Sequence, residues 1–254
     1  MTRVGVLGAG GKMGRLVCAA VDGAADLQLV AAVDPSHADQ PLPGSLRVEK
    51  DSRALVAARA DVAVDFTRPD AVMDNIRFCV EHDIHAVVGT TGIGPQGLDG
   101  IGAWLEGHPA VGVIVAPNFS IGAVVGQRLA EEAARFFPAA EVIELHHDQK
   151  VDAPSGTAAA TARRIAAARK EDWSGPSGGA EYRGGDVEGV RVHSVRLPGL
   201  VAHQEVIFGA QGQTLTIRHD APDRSCYMPG VLMAIKQVES RPGLTVGLEP
   251  LLGL

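Results

Sequence analysis

Aromatic side chains are scarce: Phe, Trp and Tyr make up 4% of the 254 residues. A chain this poor in rings fills its interior with Val, Ala, Leu and Ile, and at 46% hydrophobic residues it has enough for a sizeable core. Cysteine is scarce too. Cys18, Cys79 and Cys226 are far apart and odd in number, which argues against a disulfide framework or a zinc ligand set and fits a reducing compartment. No long basic stretch accompanies the formal net charge of -7, so neither nucleic acid nor an anionic membrane is the expected partner. A run of about 18 apolar residues is also missing, and the opening Met1-Thr2-Arg3-Val4-Gly5-Val6-Leu7 meets glycines before a signal-peptide core can form. Together these absences predict a soluble, cytoplasmic protein.

Glycine, with 31 residues, is plentiful. In the first half, short Val/Ile/Ala runs alternate with helical patterns. Strands are expected over 4–7, 27–33, 62–66, 86–89 and 111–116, and helices over 12–21, 52–58, 70–81 and 95–106. That alternation predicts βαβ units and a parallel sheet shielded on both faces. After Ser120 the rhythm changes. A helix over 123–136 is ended by Pro138, a strand follows over 141–147 and a helix over 157–170. Residues 173–189 read as a long Gly/Ser-rich loop of the kind that is usually functional or mobile. Three closely spaced strands over 190–197, 204–210 and 213–219 then predict a mostly antiparallel sheet. The expected organisation is α/β: a parallel-sheet domain over 1–120, a central α+β domain over 121–221, and a tail over 222–254, with a helix over 223–238, packing back on the first domain.

The first strand runs into Gly8-Ala9-Gly10-Gly11-Lys12-Met13-Gly14 and then a helix. Glycines there permit a tight turn and close approach to a pyrophosphate, whose oxygens meet the free N–H groups and positive dipole end of the helix. The third glycine of the usual fingerprint would fall at Met13; Gly8, Gly11 and Gly14 fit a G-x-x-G-x-x-G spacing instead. Asp34 ends the second strand 20 residues past Gly14, where a carboxylate can accept hydrogen bonds from an adenosine ribose. The context predicts a Rossmann-like dinucleotide-binding domain. An acid at that place disfavours the 2′-phosphate of NADPH, and Pro35 stands where an arginine would serve it better, although Lys12 can partly compensate. The expectation is therefore good use of NADH with NADPH tolerated. Two more loops fall at C-terminal strand ends, Gly89-Thr90-Thr91-Gly92 and Ala116-Pro117-Asn118-Phe119-Ser120. Their hydroxyls and amide suit a nicotinamide carboxamide or ribose, or else ordinary turn chemistry.

The densest chemistry lies in Glu144-Leu145-His146-His147-Asp148-Gln149-Lys150-Val151-Asp152-Ala153-Pro154-Ser155-Gly156-Thr157. Adjacent strand residues point to opposite faces, so at most one of the two histidines faces a given pocket. Convergent metal ligands are missing from the pattern, and no metal is expected. Lys150 follows His146 by four residues. Ser155 or Thr157 can cap the next helix, leaving the N–H groups of Gly156 and Thr157 open to a carboxylate. A proton-transfer imidazole, a point cation and an anion cradle in one segment suit reduction of a small carboxylated imine or enamine. The remaining histidines, His37, His82, His85, His108, His193, His203 and His219, have no comparable neighbourhood.

The segment from Glu141 to Ala158, with the GAGGKMG start, the GTTG and APNFS loops, HSVRLPG and EVIFGAQGQTLTIRH, resembles the 4-hydroxy-tetrahydrodipicolinate reductase (dihydrodipicolinate reductase) family over nearly the whole chain. The resemblance implies that His146 is a proton donor/acceptor and Lys150 a second catalytic proton donor. It also implies that His147 binds substrate and that Gly156 and Thr157 hold a substrate carboxylate through their backbone. Gly8, Ala9, Gly10, Gly11, Lys12, Met13, Asp34, Gly89, Thr90, Thr91, Ala116, Pro117, Asn118 and Phe119 match the family's NADH- or NADPH-binding segments. It further implies a small anionic dicarboxylate substrate and a homotetramer built through the central domain's sheet. The alternatives are another Rossmann amino-acid dehydrogenase, which has no need of the HHDQKVDAPSGTA string, and a dinucleotide sensor without turnover, which has no need of His146 and Lys150 together.

Overall fold

Short strands with almost no exposed positions begin the computed structural model, which describes residues 1–42, 46–170 and 182–254. In chain order these are β1 (Thr2–Leu7), α1 (Lys12–Asp22), β2 (Leu27–Val33), α2 (Arg53–Ala57), β3 (Val62–Asp65), α3 (Val72–Glu81), β4 (His85–Val88), α4 (Pro95–Glu106) and β5 (Gly112–Val115). Then come α5 (Ile121–Ala134), β6 (Ala139–His146), α6 (Gly156–Ala168), β7 (Gly185–Val187), β8 (Val190–Arg196), β9 (Ala202–Ala210) and β10 (Gln213–Ala221). The chain ends with α7 (Met228–Val238), β11 (Gly243–Val246) and α8 (Glu249–Leu252). It divides into two compact units, Met1–Ser120 with Tyr227–Leu254, and Ile121–Cys226.

The first unit holds a six-stranded sheet in the order β11-β5-β4-β3-β1-β2. Every pairing is parallel. The winding reverses at β1, which lies between β2 and β3. The loops leaving β1, β3, β4 and β5 therefore share the C-terminal edge, where sheets of this kind bind ligands. Val, Ala, Leu and Ile fill the core, with Leu55, Ile76 and Ile101 fully buried. Pairing on both sides and helices on both faces leave no room for polar alternation, which explains the unbroken apolar strands.

The second unit holds a five-stranded sheet in the order β10-β9-β6-β8-β7. Its β6–β8 pair is parallel and its other pairs are antiparallel. Helices α5 and α6 pack on it through Ala130, Ala134, Ala158, Ala162 and Ile165, against Val142 and Phe208. Small alanines let the helices approach the sheet closely. Rossmann-like parallel sheet and mixed second sheet together match the fold class read from the sequence.

Several boundaries differ from expectation. The helix expected over 223–238 begins only at Met228, because Pro229 is suited to a first helical turn. Before it, Arg224–Tyr227 form a 3-10 turn, and Asp223 Oδ1 accepts from Ser225 N at 2.8 Å. Of the expected loop 173–189, residues 173–181 lie outside the described residues, and the remainder contains β7, paired with β8. β11 was not anticipated; four residues give little periodicity, and its place beside β5 comes from long-range pairing.

Helix α7 lies against α1, β4 and β5. Its Gly230 packs backbone to backbone on the loop after β5: a Cβ there would stand 2.1 Å from the Phe119 carbonyl oxygen. Gly230→Ala should therefore destabilise the protein by about 1–3 kcal/mol, as overpacking does, despite alanine's higher helix propensity. Denaturant unfolding measures this, and a stability equal to wild type would show that the loop shifts freely.

Candidate active site

In the first unit the glycine loop is built by close backbone contact. Gly8 has φ +77, and a Cβ on it would meet the Phe66 carbonyl oxygen at 2.4 Å. A Cβ on Gly14 would meet the Gly8 carbonyl oxygen at 2.1 Å, so Gly14 supplies the helix–loop contact that the sequence placed one residue from the usual position. The N-cap of α1 is Gly11, which brings no side chain to the first-turn N–H groups. The loop thus offers the open donors and slender backbone that a dinucleotide pyrophosphate requires. Lys12 is exposed on the first turn, and Ala9 is buried beneath the loop beside the half-buried Met13.

Asp34 has a role in the chain itself. Only 8% exposed, it accepts from Gly10 N at 3.1 Å through Oδ2 and from Ser36 N at 2.9 Å through Oδ1. His37 Nδ1 stands 3.0 Å from Oδ2. The carboxylate therefore ties the glycine loop to the turn after β2, and His37, which carried no signal in the sequence, covers Gly10. Each carboxylate oxygen has a second lone pair, so a ribose contact remains compatible with this engagement.

At the neighbouring strand ends a buried carboxylate does similar work. Asp65, 2% exposed, closes β3. Its Oδ1 accepts from Thr67 N at 3.0 Å, Thr67 Oγ1 at 2.8 Å and Thr90 Oγ1 at 2.6 Å; its Oδ2 accepts from Asn75 Nδ2 at 2.8 Å. The Thr90 hydroxyl is thus committed inward and also accepts from Thr67 N. What the GTTG loop leaves toward a ligand is its backbone and the exposed Thr91. Gly89 admits the Phe66 ring, which packs on Phe119 with centroids 5.8 Å apart. Phe119 and Ala116 are buried, so they face a ligand only through backbone, while Pro117 is exposed. Asn118 Oδ1 accepts from Ser120 N.

The second unit assembles the other candidates. β6 ends at His146, whose Nδ1 meets Glu144 Oε2 at 2.5 Å. Glu144 is fully buried. It also accepts from Arg196 Nη1 at 2.9 Å, Arg196 Nη2 at 2.8 Å and Ser155 N at 3.2 Å. Burial by itself would raise this carboxyl; hydrogen bonds from His146, Arg196 and Ser194 outweigh it and hold the group down to about 2. Arg196 ends β8, and its other N–H groups reach the carbonyls of Lys150 at 3.3 Å and Asp152 at 2.6 Å. Lys150 is paired, its Nζ lying 2.8 Å from Asp152 Oδ1. The ammonium is the main reason that the Asp152 carboxyl lies below its ordinary range. His147 is half-buried just past the strand, and its carbonyl accepts from Lys150 N.

Ser155, rather than Thr157, caps α6, its hydroxyl accepting from Ala158 N at 3.1 Å. A Cβ on Gly156 would meet nothing within 4 Å, so the space before the helix N-terminus is open there. Gln127, Thr161 and Gln204 hold this end of α6 to α5 and β9 through buried hydrogen bonds. Among the described residues, no group of three or more His, Cys, Asp or Glu could hold a metal ion.

A parallel sheet with a glycine-lined helix N-terminus at its switch point, joined in one chain to an imidazole–lysine–helix cradle, defines the class: a Rossmann-type oxidoreductase. Residues 2–119 and 122–252 match the family descriptions "Dihydrodipicolinate reductase, N-terminus" and "Dihydrodipicolinate reductase, C-terminus". The chain is 56% identical to a 4-hydroxy-tetrahydrodipicolinate reductase of Nocardia farcinica, over 99% of both chains. It is 54% identical to one of Cutibacterium acnes over the full length of both. A dipicolinate-bound dihydrodipicolinate reductase from Paenisporosarcina sp. TG-14 superposes with a TM-score of 0.88 at 39% identity, covering 98% of this chain and 99% of that one. An amine dehydrogenase from Mycobacterium smegmatis, with a TM-score of 0.66 at 15% identity, shares the fold. The chain belongs to the dihydrodipicolinate reductase family, and it is an NAD(P)H-dependent oxidoreductase. No helix among the described residues is long and apolar enough to cross a membrane.

Glu144 also links the site to acid stability. Its folded carboxyl titrates below the ordinary value of 4.5, so the unfolded chain binds the proton more readily. The stabilising contribution is complete above about pH 4.5 and is lost as pH falls toward 2. Unfolding free energy should therefore fall less steeply in Glu144→Gln than in wild type across that window. Denaturant titrations at a series of pH values measure the two slopes, and parallel slopes contradict the assignment.

Proposed function

We propose that the chain converts 4-hydroxy-tetrahydrodipicolinate to tetrahydrodipicolinate in lysine and diaminopimelate biosynthesis: the 4-hydroxyl group leaves as water, hydride reduces the dehydrated ring, and His146 and Lys150 serve as the proton-transfer residues. The reaction follows from membership of the family; the residue roles rest on geometry. The observation that carries them is that one segment ends a strand with a carboxylate-held imidazole and, after a lysine, begins a helix with open N–H groups. Two negative groups on a small ring need fixed partners, and the enamine left by reduction needs a proton.

Gly8–Met13, Asp34, Gly89–Thr91 and Ala116–Phe119 would hold NADH or NADPH, whose chemistry there would be hydride donation. His146 presents its imidazole at the strand end and transfers the proton. Lys150 exchanges Asp152 for a substrate carboxylate and brings a second acidic proton close. The N–H groups of Gly156 and Thr157 take a carboxylate at the α6 N-terminus, where the dipole favours an anion. His147 adds a contact from just past the strand. The Paenisporosarcina enzyme binds dipicolinate, a dicarboxylate of this size and charge. A homotetramer located in the cytoplasm completes the reading. Support for assembly through the second sheet is β10, an edge strand whose first four residues are all exposed.

A coupled assay tests the reaction: the preceding synthase, fed pyruvate and aspartate semialdehyde, supplies the unstable substrate while NADH or NADPH absorbance is followed. Substrate-dependent oxidation is expected. His146→Gln should lower kcat by about 10²–10⁴-fold, the range for loss of a general acid/base, and Lys150→Ala should lower kcat and raise KM. A wild-type rate in either variant removes that residue from the mechanism.

Coenzyme choice has its own test. The Asp34 carboxylate repels a 2′-phosphate, so NADH is used well and NADPH is tolerated. Asp34→Asn should raise the ratio of kcat/KM for NADPH over NADH. An unchanged ratio would confine Asp34 to holding the glycine loop.

A further inference from the structure

We propose that Glu144 is the positioning residue for His146 and that Arg196 sets how strongly it acts, an inference that rests on His146 carrying the proton in the proposed reaction. An ionised carboxylate only accepts hydrogen bonds. The Nδ1 facing Glu144 Oε2 therefore carries a hydrogen, and Nε2 is left as the nitrogen that alternates between donor and acceptor. A strand-end imidazole with no such partner would exchange tautomers and rotate. Here the ring is held by a buried group that cannot move away.

Glu144 is not a lone anion. The Arg196 guanidinium forks across both of its oxygens, so much of its negative charge is already balanced. Two opposite charges reach His146 from this pair: the carboxylate in direct contact with its Nδ1, and the guanidinium behind that carboxylate. Arg196 also holds the carbonyls of Lys150 and Asp152, and Glu144 also holds Ser155 N at the start of α6. Imidazole, lysine loop and helix N-terminus are thus tied to one ion pair.

The other charged and titratable groups near this face are few. Lys150 and Asp152 form their own pair in the loop, beside His147. From β10, His219 shares the face through the register His219–Gln204–Glu144. Helices α5 and α6 present neutral Gln127 and Thr161, and β8 contributes Ser194. None of these contacts Glu144 with a second full charge, so Glu144 and Arg196 dominate the local field.

Opposite substitutions then have opposite effects. With His146 donating the proton, activity falls along a basic limb in the pH–rate profile. Glu144→Gln removes the anion and should move that limb to lower pH by about 1–2 units; Arg196→Met removes the cation and should move it to higher pH by a similar amount. Glu144→Asp keeps the charge and should leave the limb near wild type while lowering kcat. Arg196→Lys keeps charge but loses the fork and the carbonyl bonds, so KM should rise with the limb unmoved.

The experiment pairs these profiles with 15N NMR of histidine-labelled, ligand-free protein, the His146 signal being assigned by its loss in His146→Gln. The NMR titration should show the same two displacements without turnover. Displacement in one direction for both variants, or identical limbs for Glu144→Gln and Glu144→Asp, overturns the proposal and leaves a structural ion pair. Should Arg196→Met not fold, the Gln–Asp comparison at 144 decides alone. Absence of wild-type turnover alongside the expected NMR displacements would defeat the proposed reaction while upholding the pairing.

Discussion

A glutamate with no solvent exposure stays ionised inside the second unit because four donors converge on it. Remove them, and the cheapest state for Glu144 is the protonated one. Most of the local design follows from meeting that demand. Arg196 must arrive from β8, which fixes the pairing of β6 with β8 at its C-terminal end. Ser155 N must turn toward the strand, which fixes where α6 begins. The guanidinium's spare donors then gather the carbonyls of the intervening loop, and Lys150 is carried with them. One charge requirement sets the places of a strand end, a loop and a helix start. Buried ion pairs are weak evidence for stability in general, because desolvation opposes the attraction; their better-supported use is to specify one arrangement over others.

The first unit solves a related problem with different chemistry. Asp65 is also a buried carboxylate at a C-terminal strand end, but every donor to it is neutral: two threonines, an asparagine and a backbone N–H. No cation is brought to that sheet edge by this network. Close backbone packing at Gly8, Gly14 and Gly230 does the remaining positioning, without charge.

The elements that were legible in the sequence are those whose signal is local. The span of β2 follows from its apolar run and that of α4 from Pro95 and the glycine after Glu106. The glycine loop and the HHDQKVDAPSGT segment are visible because their chemistry is contiguous. What local sequence does not display is what folding brings together. Glu144 and Arg196 are 52 residues apart, and Asp65 and Thr90 are 25 apart. Neither pair has a spacing that composition or periodicity can register. His37 has unremarkable neighbours in sequence, yet folding lays it on Gly10 and beside Asp34. Asp34 was read as a ligand to the ribose alone; its hydrogen bonds to Gly10 and Ser36 show that the same carboxylate first serves the loop.

A residue type placed at a motif position satisfies two constraints at once, one from the chain and one from the ligand. The chain's constraint is met in the absence of ligand and accounts for geometry; the ligand's accounts for selectivity. Thr90 shows the extreme case, with its hydroxyl committed to Asp65 and Thr67, so that it shapes the loop and offers a ligand only backbone. Glu144 lies further in the same direction. It is buried from solvent and bound on both oxygens, and whatever it contributes to chemistry must pass through His146, Arg196 or the cap of α6.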